Sequence, residues 1–138
     1  MGQQQLLLLV LGIVIVGLAV VVGIQAFGEN QKKSNADALV NDGVRIASDA
    51  QAWALKPTAF GGGNGSLAGV QFTDLGYTLG GNGCAATEYG NLNGCFTMAE
   101  AAGVVTITGS NVTQDNQVTV VVDGTGPGDI ATTVSSIP

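Results

Sequence analysis

The chain has 138 residues, of which 46% are hydrophobic and only 10% charged, with a formal net charge of −6 and no histidine. All four basic residues lie in the first 56 positions, whereas residues 57–138 carry six acidic residues and no Lys or Arg. This distribution excludes a nucleic-acid-binding protein, which needs clustered cations to displace phosphate counterions. The lack of histidine removes the commonest general base and the commonest metal ligand.

The first predicted element is an apolar helix. Residues 6–24 read LLLLVLGIVIVGLAVVVGI, with no polar side chain. A helix of this length spans about 28 Å, close to the thickness of a bilayer's hydrocarbon core, and only a helix satisfies its own backbone in lipid. Because the run is apolar on every face, lipid or other protein must cover it. No basic residue precedes the run and no small-residue cleavage site ends it, so we expect it to be retained rather than removed as a secretory signal.

The second predicted element is amphipathic and covers residues 34–55. Apolar residues recur there at spacings of three and four, which is typical of a helix with one buried face. The larger apolar side chains of that face are expected to pack on a sheet; they are Leu39, Val40, Ile46 and Trp53.

The two helical segments are predicted to form one continuous helix that ends at Leu55, because Lys56 precedes a proline and is disfavoured in helical geometry. The alternative is a break near Gly28, since residues 28–33 lack apolar side chains and Ser34 with Asp37 matches a capping box. The predicted organisation is therefore an N-terminal helix over 1–56, with an apolar segment over 6–27, followed by a Gly/Thr-rich domain over 57–138.

The C-terminal part is predicted to be a small antiparallel sheet of five or six strands. Val and Ile alternating with Thr indicate strands with one buried and one solvated face. The candidate strands are 70–73, 76–79, 95–98, 104–108, 117–122 and 130–134. A polar turn over 110–116 predicts that 104–108 and 117–122 form a hairpin. The expected fold class is α+β, with one long helix packed on the sheet.

The two cysteines, Cys84 and Cys95, are predicted to form a structural disulfide. A metal site needs more ligands than two cysteines, and a redox pair usually has two residues between its cysteines. The residues between the two cysteines are expected to form a Gly/Asn-rich loop, and closing this loop would contribute about 3 kcal/mol in the chain-entropy model. A disulfide indicates an oxidising compartment, so the domain is expected to face outward. Lys32 and Lys33, which follow the apolar run, favour the opposite orientation by the positive-inside rule, but two lysines weigh less than the cysteine pair.

No catalytic, metal-binding or cofactor-binding residues are predicted. The chain has no histidine and no G-x-S-x-G elbow, and its acidic residues are scattered among turns and strand ends. Residues 123–129 could offer oxygens to calcium, but they do not match the EF-hand pattern, and Asp-Gly pairs are ordinary in turns. Asn64 and Asn111 begin N-x-[ST] triplets and are candidate N-glycosylation sites, with O-linked sugar equally open.

Residues 1–12 (MGQQQLLLLVLG), residues 50–57 (AQAWALKP) and the Gly-rich stretch 60–67 together carry a resemblance. An apolar helix that begins near the first residue, runs into an amphipathic half and bears a small disulfide-containing sheet resembles a type IV pilin. The resemblance implies insertion in the inner membrane, cleavage after a glycine by a leader peptidase, N-methylation, and extraction by pilus assembly machinery into a helical filament. Gly2 would be that glycine if the mature chain begins at Gln3; alternatively Met1 is the mature first residue.

The resemblance also implies a core of packed N-terminal helices and an extracellular filament made of copies of this chain. Its expected core residues are Leu6, Leu7, Leu8, Leu9, Val10, Leu11, Ile13, Val14, Ile15, Val16, Leu18, Val20, Val21, Val22, Ile24 and Phe27. Pilins usually carry a glutamate near the mature N-terminus; here Gln3, Gln4 and Gln5 could supply hydrogen bonds without a buried charge. Two alternatives stay open: a monomeric binding or adhesin domain anchored by one membrane helix, and a minor pilin or pseudopilin of a secretion system.

Overall fold

The structure is a computed structural model that describes residues 2–136. The chain divides into two compact units, residues 1–33 and 34–138. The first unit holds the apolar part of helix α1, and the second holds the remainder of α1 and every strand described. In chain order the elements are α1 (Gly2–Leu55), a 3₁₀ turn (Thr58–Phe60), β1 (Leu79–Gly81), β2 (Cys84–Gly90), β3 (Cys95–Ala101), β4 (Val104–Asn111), β5 (Asn116–Val122) and β6 (Ile130–Ser136).

Helix α1 is continuous, so the apolar and amphipathic segments belong to one helix without a break at Gly28. The helix ends at Leu55, directly before Lys56 and Pro57, as the proline rule predicts. The glycine-rich loop that follows folds back over the last turn: the backbone N–H groups of residues 63, 64 and 65 donate to the carbonyls of residues 53, 56 and 54. This loop therefore satisfies carbonyls that a helix end leaves without intrahelical partners.

The sheet has six strands in the order β1-β2-β3-β4-β5-β6, and every neighbouring pair is antiparallel. Strands β3 to β6 pair over their full lengths, and the expected hairpin is the β4–β5 pair, with its turn at residues 112–115. The β1–β2 pair is less regular, since its register shifts between Leu79 and Gly81. The predicted α+β fold, with one long helix packed on a small antiparallel sheet, is confirmed.

The hydrophobic core of residues 34–136 lies between the second half of α1 and one face of the sheet. Alternation of Val or Ile with Thr along β4 and β5 places every second side chain in this core. The buried apolar residues are Leu39, Ile46, Ala47, Ala50, Ala54, Leu67, Val70, Phe72, Phe96, Val105, Ile107, Val118, Val120 and Val122.

Two predicted strands, 70–73 and 76–79, are wrong. Residues 70–78 are irregular, with turns over 72–76, and only Leu79 of these segments belongs to a strand. Val70 and Phe72 are nevertheless buried, so their apolar side chains serve the core from an irregular segment. The backbone N–H groups of Leu75 and Tyr77 both donate to the carbonyl of Phe72, so these backbone groups have partners without pairing to a neighbouring strand. The stretch between the cysteines, expected to be a loop, contains strand β2 instead.

Candidate functional site

The candidate functional surface of the first unit is the apolar segment over residues 6–27. All sixteen of the larger apolar side chains predicted for filament-core packing are exposed there, with relative accessibilities between 52% and 69%. Among the residues described, α1 is a helix long and apolar enough to cross a membrane, by length and composition. An exposed apolar surface of this size marks a site that contacts lipid or another protein.

The polar start of α1 carries three glutamines that are exposed and helical: Gln3, Gln4 and Gln5. Gly2 is also exposed and is the first helical residue, whereas Met1, the other candidate for the mature start, lies outside the described residues.

Four glycines leave open positions along the exposed part of α1. A Cβ atom added at Gly12, Gly17, Gly23 or Gly28 would meet no neighbouring atom within 4 Å. Glycine costs up to about 1 kcal/mol relative to alanine in a helix interior, and glycines on a membrane helix allow close approach of a second helix.

The four side chains predicted to pack on the sheet all contact the core. Leu39 and Ile46 are buried, while Val40 and Trp53 are partly buried against the core cluster. The sequence did not reveal the close approach of α1 to the sheet at Gly43. A Cβ atom added there would lie 2.8 Å from Cγ2 of Val120 on β5, inside normal contact distance.

The predicted pairing of Cys84 with Cys95 is present as a disulfide with a Cα–Cα distance of 5.6 Å. The bond joins the start of β2 to the start of β3, and both cysteines are half-buried. Gly90 makes room for it, because a Cβ atom at that position would lie 2.7 Å from the Sγ atom of Cys84 and 2.3 Å from the carbonyl oxygen of Gly81.

A network of amide side chains joins α1 to two turns of the sheet. On the turn between β2 and β3, Asn91 and Asn93 donate to the carboxylate of Asp42 at 2.9 and 2.6 Å. Two helical turns earlier, on the same side of α1, the amide of Asn35 donates to the backbone carbonyl of Asn93 and accepts from Asn116 of β5. Because buried polar groups need partners, this network fixes how the helix lies on the sheet.

This network was not predicted from the sequence. The available signal was the spacing of Asn35 and Asp42, two polar residues seven apart at the edge of the apolar face of α1, where both are half-buried. Such polar residues on a buried face require partners from a neighbouring element. Their partners lie 49 to 81 residues away in the chain, so no local pattern identifies them.

A tyrosine of the irregular segment forms a second polar contact with α1. The Tyr77 hydroxyl donates to the carboxylate of Asp49, and its ring lies 4.7 Å from that of Tyr89, centroid to centroid. Burial raises the pKa of Tyr77 above its ordinary value, and the hydrogen bond to Asp49 raises it further. This contact holds residues 70–78 against the helix.

The two candidate glycosylation sites differ in accessibility. Asn64 is exposed in the loop after α1. Asn111 is half-buried, and its amide nitrogen donates to the carbonyl of Asn93 at 2.6 Å. The nitrogen to which a sugar would attach is therefore already engaged at Asn111 in the folded domain.

The turn over residues 123–129, which was considered above as a possible calcium site, is hydrogen-bonded to α1. The amide nitrogen of Gln51 donates to the carbonyl oxygens of Gly124 and Gly126, at 2.8 and 2.9 Å. The carboxylate of Asp129 accepts the backbone N–H of Gly126 at 2.8 Å. The two carbonyl oxygens therefore bind α1, and the Asp129 carboxylate closes the turn, which is ordinary chemistry for an Asp- and Gly-rich connection.

Comparisons of the chain with protein-family models, with curated proteins and with solved structures gave no match in any of the three.

Proposed function

We propose that this chain is the structural subunit of an extracellular type IV pilus-like filament, in which residues 6–27 of many copies form a helical core. The observation that carries the proposal is the exposed apolar segment. It lies on the same helix whose second half is built into the core of a sheet domain.

The energetics support assembly. Burying one large apolar side chain contributes about 1.5–3 kcal/mol relative to leaving it in water. Sixteen such side chains are exposed on one segment, so a monomer with this helix in water is strongly unfavourable. Lipid covers the segment before assembly, and identical helices cover it afterwards. A repeated head-to-tail contact that does not close yields an open helical polymer.

The chemistry of residues 57–138 supports a role as the outer coat. This part contains a disulfide, which persists in oxidising surroundings, and it has no Lys or Arg, so trypsin-like proteases find no cleavage site in it. We expect no enzymatic activity and no cofactor, and we expect the pilus assembly machinery of the inner membrane to be the partner besides copies of the chain.

A second candidate is a monomeric binding or adhesin domain held at the membrane by one helix. It is favoured by the length and composition of α1, which suffice to cross a bilayer without any assembly. A minor pilin or pseudopilin would share the architecture and differ in abundance.

Shearing of cells, followed by electron microscopy and mass spectrometry of the sheared material, tests the proposal. We expect abundant filaments containing this chain, and the mass of the N-terminal peptide will decide between Met1 and Gln3. Recovery of the chain solely as a monomer in the membrane fraction would refute the filament.

A pair of variants separates assembly from anchoring. Gly17→Leu keeps the segment apolar but fills an open position on the helix, so we expect membrane insertion to persist and filaments to be lost or sparse. Val16→Leu in the same turn is the matched control, because it adds one methylene to an already large side chain. If the chain is only an anchored monomer, both variants will behave as the wild type does.

A further inference from the structure

Cys84, Glu88 and Cys95 form a cluster at the β2–β3 end of the sheet. One ligand atom from each residue, two sulfurs and a carboxylate oxygen, lies within 4.8 Å of the other two, and all three side chains are half-buried. We propose that reduction of the disulfide converts this cluster into a binding site for Zn²⁺. The inference concerns the sheet domain and does not depend on the filament proposal.

The ligand set suits zinc. Two thiolates and one carboxylate supply three protein ligands, and a water molecule completes the tetrahedral coordination that Zn²⁺ adopts. Ligand atoms bound to one zinc ion lie about 3.5–4 Å apart, so the sulfurs must separate on reduction and the carboxylate must approach by at most about 1.3 Å. The Cα–Cα distance of 5.6 Å between the cysteines leaves room for this without displacing the strands.

The carboxylate is already oriented. The backbone N–H of Ala85 donates to Oε2 of Glu88 at 3.0 Å, which holds the carboxylate next to Cys84 in the same strand. Hydrogen bonds to a metal-binding side chain set its orientation and are part of a metal site. A cavity of about 630 Å³ is lined by all three residues and gives an ion in solution a path to them.

The chemical step is a balanced two-electron reduction. A phosphine reductant and one water molecule convert the Cys84–Cys95 disulfide into two thiols, and the phosphine becomes its oxide. Zn²⁺ then displaces one proton from each thiol as the two thiolates and the Glu88 carboxylate bind it. The metal bridges the same two strands as the disulfide, so the reduced domain keeps the start of β2 beside the start of β3.

The test uses the full chain in detergent micelles, reduced with a phosphine so that no added thiol competes for metal. Titration with Co²⁺ should give one equivalent of bound metal, with the visible absorption of a tetrahedral site and thiolate-to-cobalt charge transfer. Zn²⁺ should displace the cobalt, and the oxidised protein should show neither signal. Circular dichroism should show that the metal-bound reduced protein retains its β-sheet.

Glu88→Gln is the decisive variant, because it keeps the size and the hydrogen-bonding capacity of the side chain while removing its negative charge. We expect it to weaken metal binding at least about tenfold. Glu100→Gln on β3 is the matched control and should bind metal as the wild type does, since Glu100 is not part of the cluster. Affinity unchanged by Glu88→Gln, binding of more than one equivalent, or no binding by the reduced chain would each overturn the proposal.

Discussion

Because α1 approaches strand β5 closely, we predict that replacing Gly43 by alanine destabilises the domain, although intrinsic helix propensity alone favours alanine. Replacing Gly43 by alanine places a methyl group 2.8 Å from Cγ2 of Val120. Carbon atoms in contact normally lie about 3.5–4.0 Å apart. The helix or the side chain of Val120 must therefore move by about 1 Å within a buried region.

Two opposing terms decide the result. Alanine is favoured over glycine in a helix interior by about 1 kcal/mol. Extra volume forced into a packed core costs about 1–3 kcal/mol. The difference predicts that Gly43→Ala lowers the free energy of unfolding by about 1 kcal/mol. Asn41→Ala is the control, because Asn41 is exposed on the same helix and the substitution should raise stability by a few tenths of a kcal/mol.

The assay is urea unfolding of the full chain in detergent micelles, followed by fluorescence of Trp53, the single tryptophan, which packs against the core. Val120→Ala removes the contact atom and should destabilise the domain by about 2 kcal/mol. In the Val120→Ala background the Gly43→Ala change should become stabilising, so the double-mutant cycle should give a coupling energy of about 1–3 kcal/mol.

Stabilisation of the domain by Gly43→Ala alone, by the full propensity difference, would refute this prediction. That result would mean that the helix does not approach β5 as closely as the structure indicates. A coupling energy near zero would refute it as well, because the two positions would then be energetically independent.

Three further predictions concern the same domain. Replacing Cys84 and Cys95 by serine should lower the free energy of unfolding by about 3 kcal/mol in denaturant titrations, and unchanged stability would contradict the loop-closure argument. Folding raises the pKa of Tyr77, so the stabilising contribution of its neutral hydroxyl is complete below the ordinary tyrosine pKa of about 10 and is lost as the pH rises above that value. Thermal unfolding should therefore show stability falling at alkaline pH, and Tyr77→Phe should make this fall smaller. Asp42→Ala leaves two amide groups of the β2–β3 turn without their acceptor and should cost about 1–3 kcal/mol in urea unfolding, whereas Asp37→Ala on the exposed face should cost less than 0.5 kcal/mol.

The elements that the sequence determined are those specified by neighbouring residues. An apolar run of nineteen residues, an amphipathic stretch at helical spacing and the proline at position 57 define α1, and the structure has that helix with the predicted end. Alternating Val, Ile and Thr define β4, β5 and β6 in the same way. With only two cysteines in the chain, one intramolecular pairing was open.

Only the tertiary structure decided where distant residues meet. Val70 and Phe72 belong to apolar stretches with strand-like composition, yet they pack in the core from an irregular segment, because burial of a side chain does not require pairing of its backbone with a strand. The acceptor of the Asn91 amide lies 49 residues away on α1, and the carboxylate of Glu88 lies beside both sulfurs only because β2 and β3 are adjacent. Local periodicity fixes the direction in which a side chain points, whereas the identity of its partner depends on how the elements pack.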